Sequence, residues 1–77
     1  MDFYHRIQID PSICHGKPVI QGTRVPVSVV VGSLAGTMSI EEIAREYDLT
    51  REDIQAALAF ANELVQQESF HSLPNAA

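Results

Sequence analysis

Apolar and polar positions follow several different rhythms along this chain, and each rhythm implies a different element. Arg6-Ile7-Gln8-Ile9 alternates polar and apolar, the pattern of a half-buried strand. Asp10-Pro11 ends it, Ser12 to Gly16 has turn composition, and Val19-Ile20 is a short apolar pair that can return against the first. Strands this short persist only when something packs on them, so residues 5–25 predict a β-arm or loose hairpin. Val27 to Ala35 is ambiguous. Val27, Val29, Val30 and Val31 favour a strand by propensity. Pro26, however, suits a first helical position, and Gly36 suits the position just past a helix end. Residue chemistry leaves both readings open.

The later rhythm is plainly helical. Ser39 precedes Glu42 by three residues, the capping-box arrangement, and Ile40, Ile43, Ala44 and Tyr47 then form one apolar face. Glu41 and Arg45 stand four apart in the favourable order, worth about 0.2–0.5 kcal/mol. Asp48-Leu49 makes a turn, Thr50 is the next cap, and Glu52 and Asp53 occupy a first turn where the helix dipole favours negative charge. Ile54, Ala57, Leu58, Ala61, Leu64 and Val65 continue as an apolar stripe, widened by Ala56, Ala59 and Phe60. A helix over 50–68 spans roughly 27 Å, long for so small a domain, so its second half is expected to project towards another chain or a long arm. Residues 1–68 form a single domain, and Ser69 to Ala77, with Pro74 and Asn75, is expected to be a flexible tail.

Between these elements lies Gly16-Lys17-Pro18-Val19-Ile20-Gln21-Gly22-Thr23-Arg24-Val25-Pro26-Val27. Each Pro fixes φ and extends the residue before it, and each Gly permits positive φ, so the block specifies a backbone path. With Ile9-Asp10-Pro11 before it and Ser39-Ile40-Glu41-Glu42-Ile43 after it, the block closely resembles domain of unknown function number 433, over roughly Ile7 to Ala61. That family consists of small prokaryotic proteins with a homeodomain-like helix-turn-helix. The resemblance implies helix for the ambiguous valine run. The expected fold is therefore mainly α: a three-helix homeodomain-like helix-turn-helix core (helices about 26–35, 39–47 and 50–68) with a short N-terminal β-arm. Some family members look like antitoxins encoded beside PIN-like ribonuclease toxins, and the resemblance implies that role here.

Composition narrows the partners. A chain of 77 residues buries only about 60% of its unfolded surface, and its single cysteine, Cys14, forms no internal disulfide. Self-association or a partner is the remaining route to a larger core, and a homodimer is expected. A net charge of −5 and a pI near 4.9 argue against a general nucleic-acid binder and suit a partner with a basic surface, as an RNA-cutting enzyme has. Met1 to Arg6 lacks an apolar signal core, and Val25 to Ala35 is interrupted by Pro26, Ser28, Gly32 and Ser33. It is also far short of the ~20 residues of a membrane span. A cytoplasmic protein is expected.

Ser39 to Leu58 has helix-turn-helix spacing, with Ala44 small at the helix crossing, Leu49 in the turn and Ile54 anchoring the second helix. Its DNA-binding candidates are Arg45, Thr50, Arg51 and Gln55, of which Arg51 and Gln55 suit guanine and adenine edges. Glu52 and Asp53 would face phosphates unfavourably, and about two or three neutralised phosphates imply a shallow salt dependence. A scaffold used purely for packing is the competing reading. In the arm, Gly16, Lys17, Pro18, Gly22, Thr23, Arg24 and Pro26 are signature positions. Lys17, Thr23 and Arg24 on this glycine-punctuated backbone suggest an anion site; in the alternative favoured here, Arg24 and Lys17 tie carboxylates or carbonyls to fix the arm. Cys14-His15, with His5 and His71 distant, falls short of the ligand set zinc needs. No metal or cofactor is expected, and with no converging catalytic groups the chain is expected not to be an enzyme. Leu64, Phe70 and Leu73 are candidate toxin contacts, acting by apolar and steric means because no Lys or Arg follows Arg51. The expected function is a non-catalytic antitoxin of a type II pair, binding a PIN-like ribonuclease toxin and its own operator DNA. The alternatives are a stand-alone transcriptional regulator and a dimeric interaction module that does not bind DNA.

Overall fold

A computed structural model describes residues 4–67. A 3-10 turn at Tyr4–Arg6 leads into strand β1 (Ile7–Gln8), and a second turn at Cys14–Gly16 precedes strand β2 (Val19–Ile20). Three helices follow: α1 (Val27–Ala35), α2 (Ile40–Tyr47) and α3 (Arg51–Gln67). The fold is mainly helical, with a small antiparallel hairpin at its N-terminal end.

The hairpin pairs Ile7 with Ile20 and Gln8 with Val19. The strand expected to run through Ile9 stops at Gln8, and Ile9 is 60% exposed. In this register the next pair would set Ile9 against Pro18, which has no N–H to donate. Asp10 then turns the chain, its carboxylate accepting from the Ser12 N–H at 2.8 Å and the Ser12 hydroxyl at 2.7 Å.

The turn after it is left-handed: Cys14, His15 and Gly16 have φ of 50°, 57° and 81°. Two of these three residues carry a Cβ, at about 1–2 kcal/mol each. Hydrogen bonds from Gly16 N–H to the Ile13 carbonyl and from Lys17 N–H to the Cys14 carbonyl, both 3.1 Å, hold the turn in place. Gly22 takes φ 80° in the turn after β2. The Thr23 hydroxyl there donates to the Ile20 carbonyl at 2.8 Å and accepts from the Val25 N–H at 3.0 Å. The expectation that Lys17 and Arg24 tie down the arm is corrected. Both side chains are exposed and make no hydrogen bond or ion pair among the described residues. Thr23 and the backbone fix the path instead.

The valine run is helical, and its N-terminal end is fixed from outside. Pro26 stands at the N-cap with φ −67° and ψ 146°, one position earlier than the first helical position expected for it. The Val27 N–H, an orphan of the first turn, donates to the Pro18 carbonyl at 2.9 Å, so the hairpin caps α1. At the other end the Gly36 N–H donates to the Gly32 carbonyl at 3.0 Å.

Helix α2 begins with the expected capping box. Ser39 Oγ accepts from the Glu42 N–H at 3.1 Å, and Glu42 Oε1 accepts from the Ser39 N–H at 2.9 Å. It ends in a left-handed Asp48 (φ 55°, ψ 50°), a conformation Asp tolerates better than most residues.

One core joins Ile7 and Ile20 of the hairpin, Val27 and Val30 of α1, Ile43 of α2, Leu49 of the turn, and Ile54, Ala56, Ala57 and Phe60 of α3. The apolar stripe of α3 is covered in part: Ala56, Ala57 and Phe60 are buried, whereas Leu58 is 39% exposed, and Leu64 and Val65, in the half expected to project, are 44% and 56% exposed. Length explains the exposure of Leu64 and Val65. At 1.5 Å per residue α3, with 17 residues, is about 25 Å long. The nine and eight residues of α1 and α2 cannot cover all of it. No helix among the described residues is long and apolar enough to cross a membrane.

Candidate functional site

Two features stand out on this scaffold: the exposed surface of the α2–turn–α3 unit, and a groove beside the second half of α3. In the first, buried Leu49 and Ile54 lock the turn, and the candidates Arg45, Arg51 and Gln55 all lie exposed around it. The Thr50 hydroxyl is occupied, accepting from the Asp53 N–H at 3.1 Å as the cap of α3. Arg51 Nη1 lies 3.5 Å from Glu41 Oε1 with both side chains largely in solvent, a weak pairing that a ligand can displace.

Asp53, expected to repel phosphates, is instead engaged on both oxygens. Oδ1 accepts from Arg6 Nη1 at 3.0 Å, and Oδ2 accepts from the Thr50 N–H at 3.0 Å. Partial burial pushes its pKa up, but the Thr50 backbone and hydroxyl and the Arg6 guanidinium outweigh burial and hold the carboxyl below its ordinary value. Glu42 is likewise held low, by the Ser39 N–H and hydroxyl. With Asp53 compensated, the exposed carboxylates of the unit are Glu41, Glu42, Glu46, Asp48 and Glu52, set against Arg45 and Arg51. The surface is net negative.

Arg6 was not legible as a site residue, because its partner is 47 positions away. The local half of the arrangement was readable: Thr50-x-x-Asp53 is a capping box with Asp where Glu or Gln usually stands.

The groove has a volume of about 490 Å³. Pro18, Val27 and Val31 form one wall and Phe60, Ala61, Leu64 and Val65 the other, with Lys17 and Ser28 also lining it. The structure thus brings Lys17 and Pro18 of the signature block beside Leu64, whereas Gly22, Thr23 and Arg24 do not line the groove. Phe70 and Leu73 lie outside the described residues.

Comparison with curated proteins returns no significant match. Among solved structures, a DUF433 member protein from Anabaena variabilis matches with a TM-score of 0.74 and 33% identity, over 80% of this chain and 62% of that one. RV2018 from Mycobacterium tuberculosis matches with a TM-score of 0.62 and 31% identity, over 68% of this chain and 24% of that one. This chain therefore spans less than two thirds of the Anabaena protein and about a quarter of the mycobacterial one. The model of the family described as "Protein of unknown function (DUF433)" matches residues 7–61, most of the sequence, and the chain belongs to that family.

Proposed function

We propose that this chain is a non-catalytic antitoxin that binds and neutralises a PIN-like ribonuclease toxin and contacts operator DNA as part of that complex. The observation that carries this reading is the sign of the charge on the helix-turn-helix. Its exposed Arg45, Arg51 and Gln55 are side chains suited to phosphates and base edges, yet five exposed carboxylates surround them. Binding to DNA draws most of its affinity from neutralised phosphates, which a net negative surface does not provide. A basic partner supplies the missing cations. It is attracted to this acidic chain for the same reason, and a ribonuclease, which must hold an RNA backbone, carries such a surface.

The test is operator binding by fluorescence anisotropy, for the chain alone and with its ribonuclease partner, alongside an RNA-cleavage assay. The chain alone should show no specific binding at physiological salt. The complex should bind, and the chain should suppress cleavage stoichiometrically. Arg51→Ala should cost the complex about 1–3 kcal/mol of operator binding while leaving toxin inhibition unchanged. Specific binding of its own promoter by the chain alone would instead make it a stand-alone regulator. Failure to inhibit any co-purifying ribonuclease would remove the antitoxin role.

A further inference from the structure

The groove beside α3 is too large to be a packing defect. At about 490 Å³ it falls within the size range of sites that accept another molecule's side chains. It also interrupts a pattern. Ala57 is fully buried, Ala61 is half-buried, and Leu64 and Val65, next on the same face, are 44% and 56% exposed. The apolar stripe of α3 thus runs on, in phase, past the point where α1 and the hairpin stop covering it.

We infer that a second copy of this chain covers it: the second halves of two α3 helices cross about a two-fold axis, each lying along the other's groove. Three observations favour a copy over another occupant. The first is self-complementarity. The exposed knobs, Leu64 and Val65, sit beside the space they would fill, against Pro18, Val27 and Val31, so one two-fold contact satisfies both chains at once. The second is the half-buried Ala61 beside them, whose small side chain lets a crossing helix approach closely. The third is charge. Lys17 lines the groove, is exposed, and has no ion-pair partner among the described residues. The sequence next to the knobs supplies an acid, Glu63, which among the described residues accepts a neutral hydrogen bond from Gln67 Nε2 at 3.0 Å and has no ion-pair partner. In the crossed pair Glu63 of each chain approaches Lys17 of the other. This inference does not rest on the antitoxin reading, because it uses neither the acidic helix-turn-helix surface nor a toxin.

Sedimentation equilibrium of the full chain, with circular dichroism to verify folding, tests the seam. The wild type should be a dimer, and Leu64→Glu should be a folded monomer, since Leu64 is already exposed within one chain. Leu58→Glu, at an exposed position outside the groove, should leave the dimer intact. Lys17→Glu should weaken dimerisation about tenfold or more through like-charge contact with Glu63. Adding Glu63→Lys should restore it, a rescue that loss of packing does not predict. A wild-type chain monomeric at every concentration would overturn the inference and leave the groove to the chain's own residues 68–77 or to a different protein. A Leu64→Glu chain that remains dimeric would overturn it as well, and so would a charge swap that fails to restore the dimer.

Discussion

Asp53 joins three parts of the molecule: the first turn of α3, its cap residue Thr50, and Arg6 at the entrance to the hairpin. Replacing it with Ala leaves the Thr50 N–H without its acceptor and Arg6 without its partner. A charge-assisted hydrogen bond at a partly exposed helix end is worth about 1 kcal/mol. The ion pair, with side chains 34% and 18% exposed, must be discounted for solvent. It adds about 0.5–1 kcal/mol. The total is about 1.5–2 kcal/mol, or roughly 10 °C in Tm for a domain of this size. Asp53→Asn keeps an acceptor for the cap and loses only the charge, so it should cost about half as much.

Thermal denaturation at pH 7 of Arg6→Ala, Asp53→Ala and the double variant measures the pair directly. The double variant should lose less than the sum of the singles by about 0.5–1 kcal/mol. Acid adds a second test. The folded carboxyl titrates below its ordinary value of 3.8, so its contribution is complete above that value and disappears as pH falls through the depressed folded value. The stability gap between wild type and Asp53→Asn should therefore be constant from neutral pH down to about 5 and close towards pH 2. Strict additivity of the two alanine substitutions, or a gap independent of pH, would refute the assignment of Asp53 as the charged link between hairpin and α3.

Other consequences are simpler. Gly32 is a helix-interior glycine with open space where a Cβ would stand. Gly32→Ala should therefore stabilise by about 0.5–1 kcal/mol, read as a higher Tm. Gly22 also faces open space but at φ +80°. Gly22→Ala should lower stability by about 1 kcal/mol in the same assay, since backbone conformation and not contact decides the sign. Ser39→Ala removes the acceptor for the Glu42 N–H. It should cost about 1 kcal/mol in urea denaturation with an unchanged m-value.

The helical half of the molecule was legible because its determinants are local. Ser39 and Glu42, Thr50 with its first turn, and Asp48 between them are all readable within a few positions, and the helices begin and end where those residues require. The hairpin was half legible. Alternation identified β1, but the register that stops it at Gln8 depends on which residue faces Pro18, and pairing register is not written in either strand alone. The valine run was undecided for the same reason. Its helix depends on the Pro18 carbonyl, a group nine residues away that caps Val27 only after the hairpin has formed. Of the site, the exposure of Arg45, Arg51 and Gln55 followed from the helical period. The Arg6–Asp53 pair and the groove did not, because both join segments that only the fold brings together.

The signature block can now be divided by what the fold requires of it. Gly16 and Gly22 take positive φ, Pro18 presents the carbonyl that caps α1, Pro26 starts that helix, and the Thr23 hydroxyl ties the turn after β2. These residues are accounted for by backbone path alone. Lys17 and Arg24 are not. Their side chains make no polar contact among the described residues, and a flexible cation held in no contact contributes nothing to the arm's geometry. Although the chain as a whole carries 10 acidic residues and 5 basic ones, Lys17 places a local positive charge beside an apolar groove, which suits an apolar helix with an acid at its edge. Among the described residues of the chain itself, the second half of α3 is such a helix.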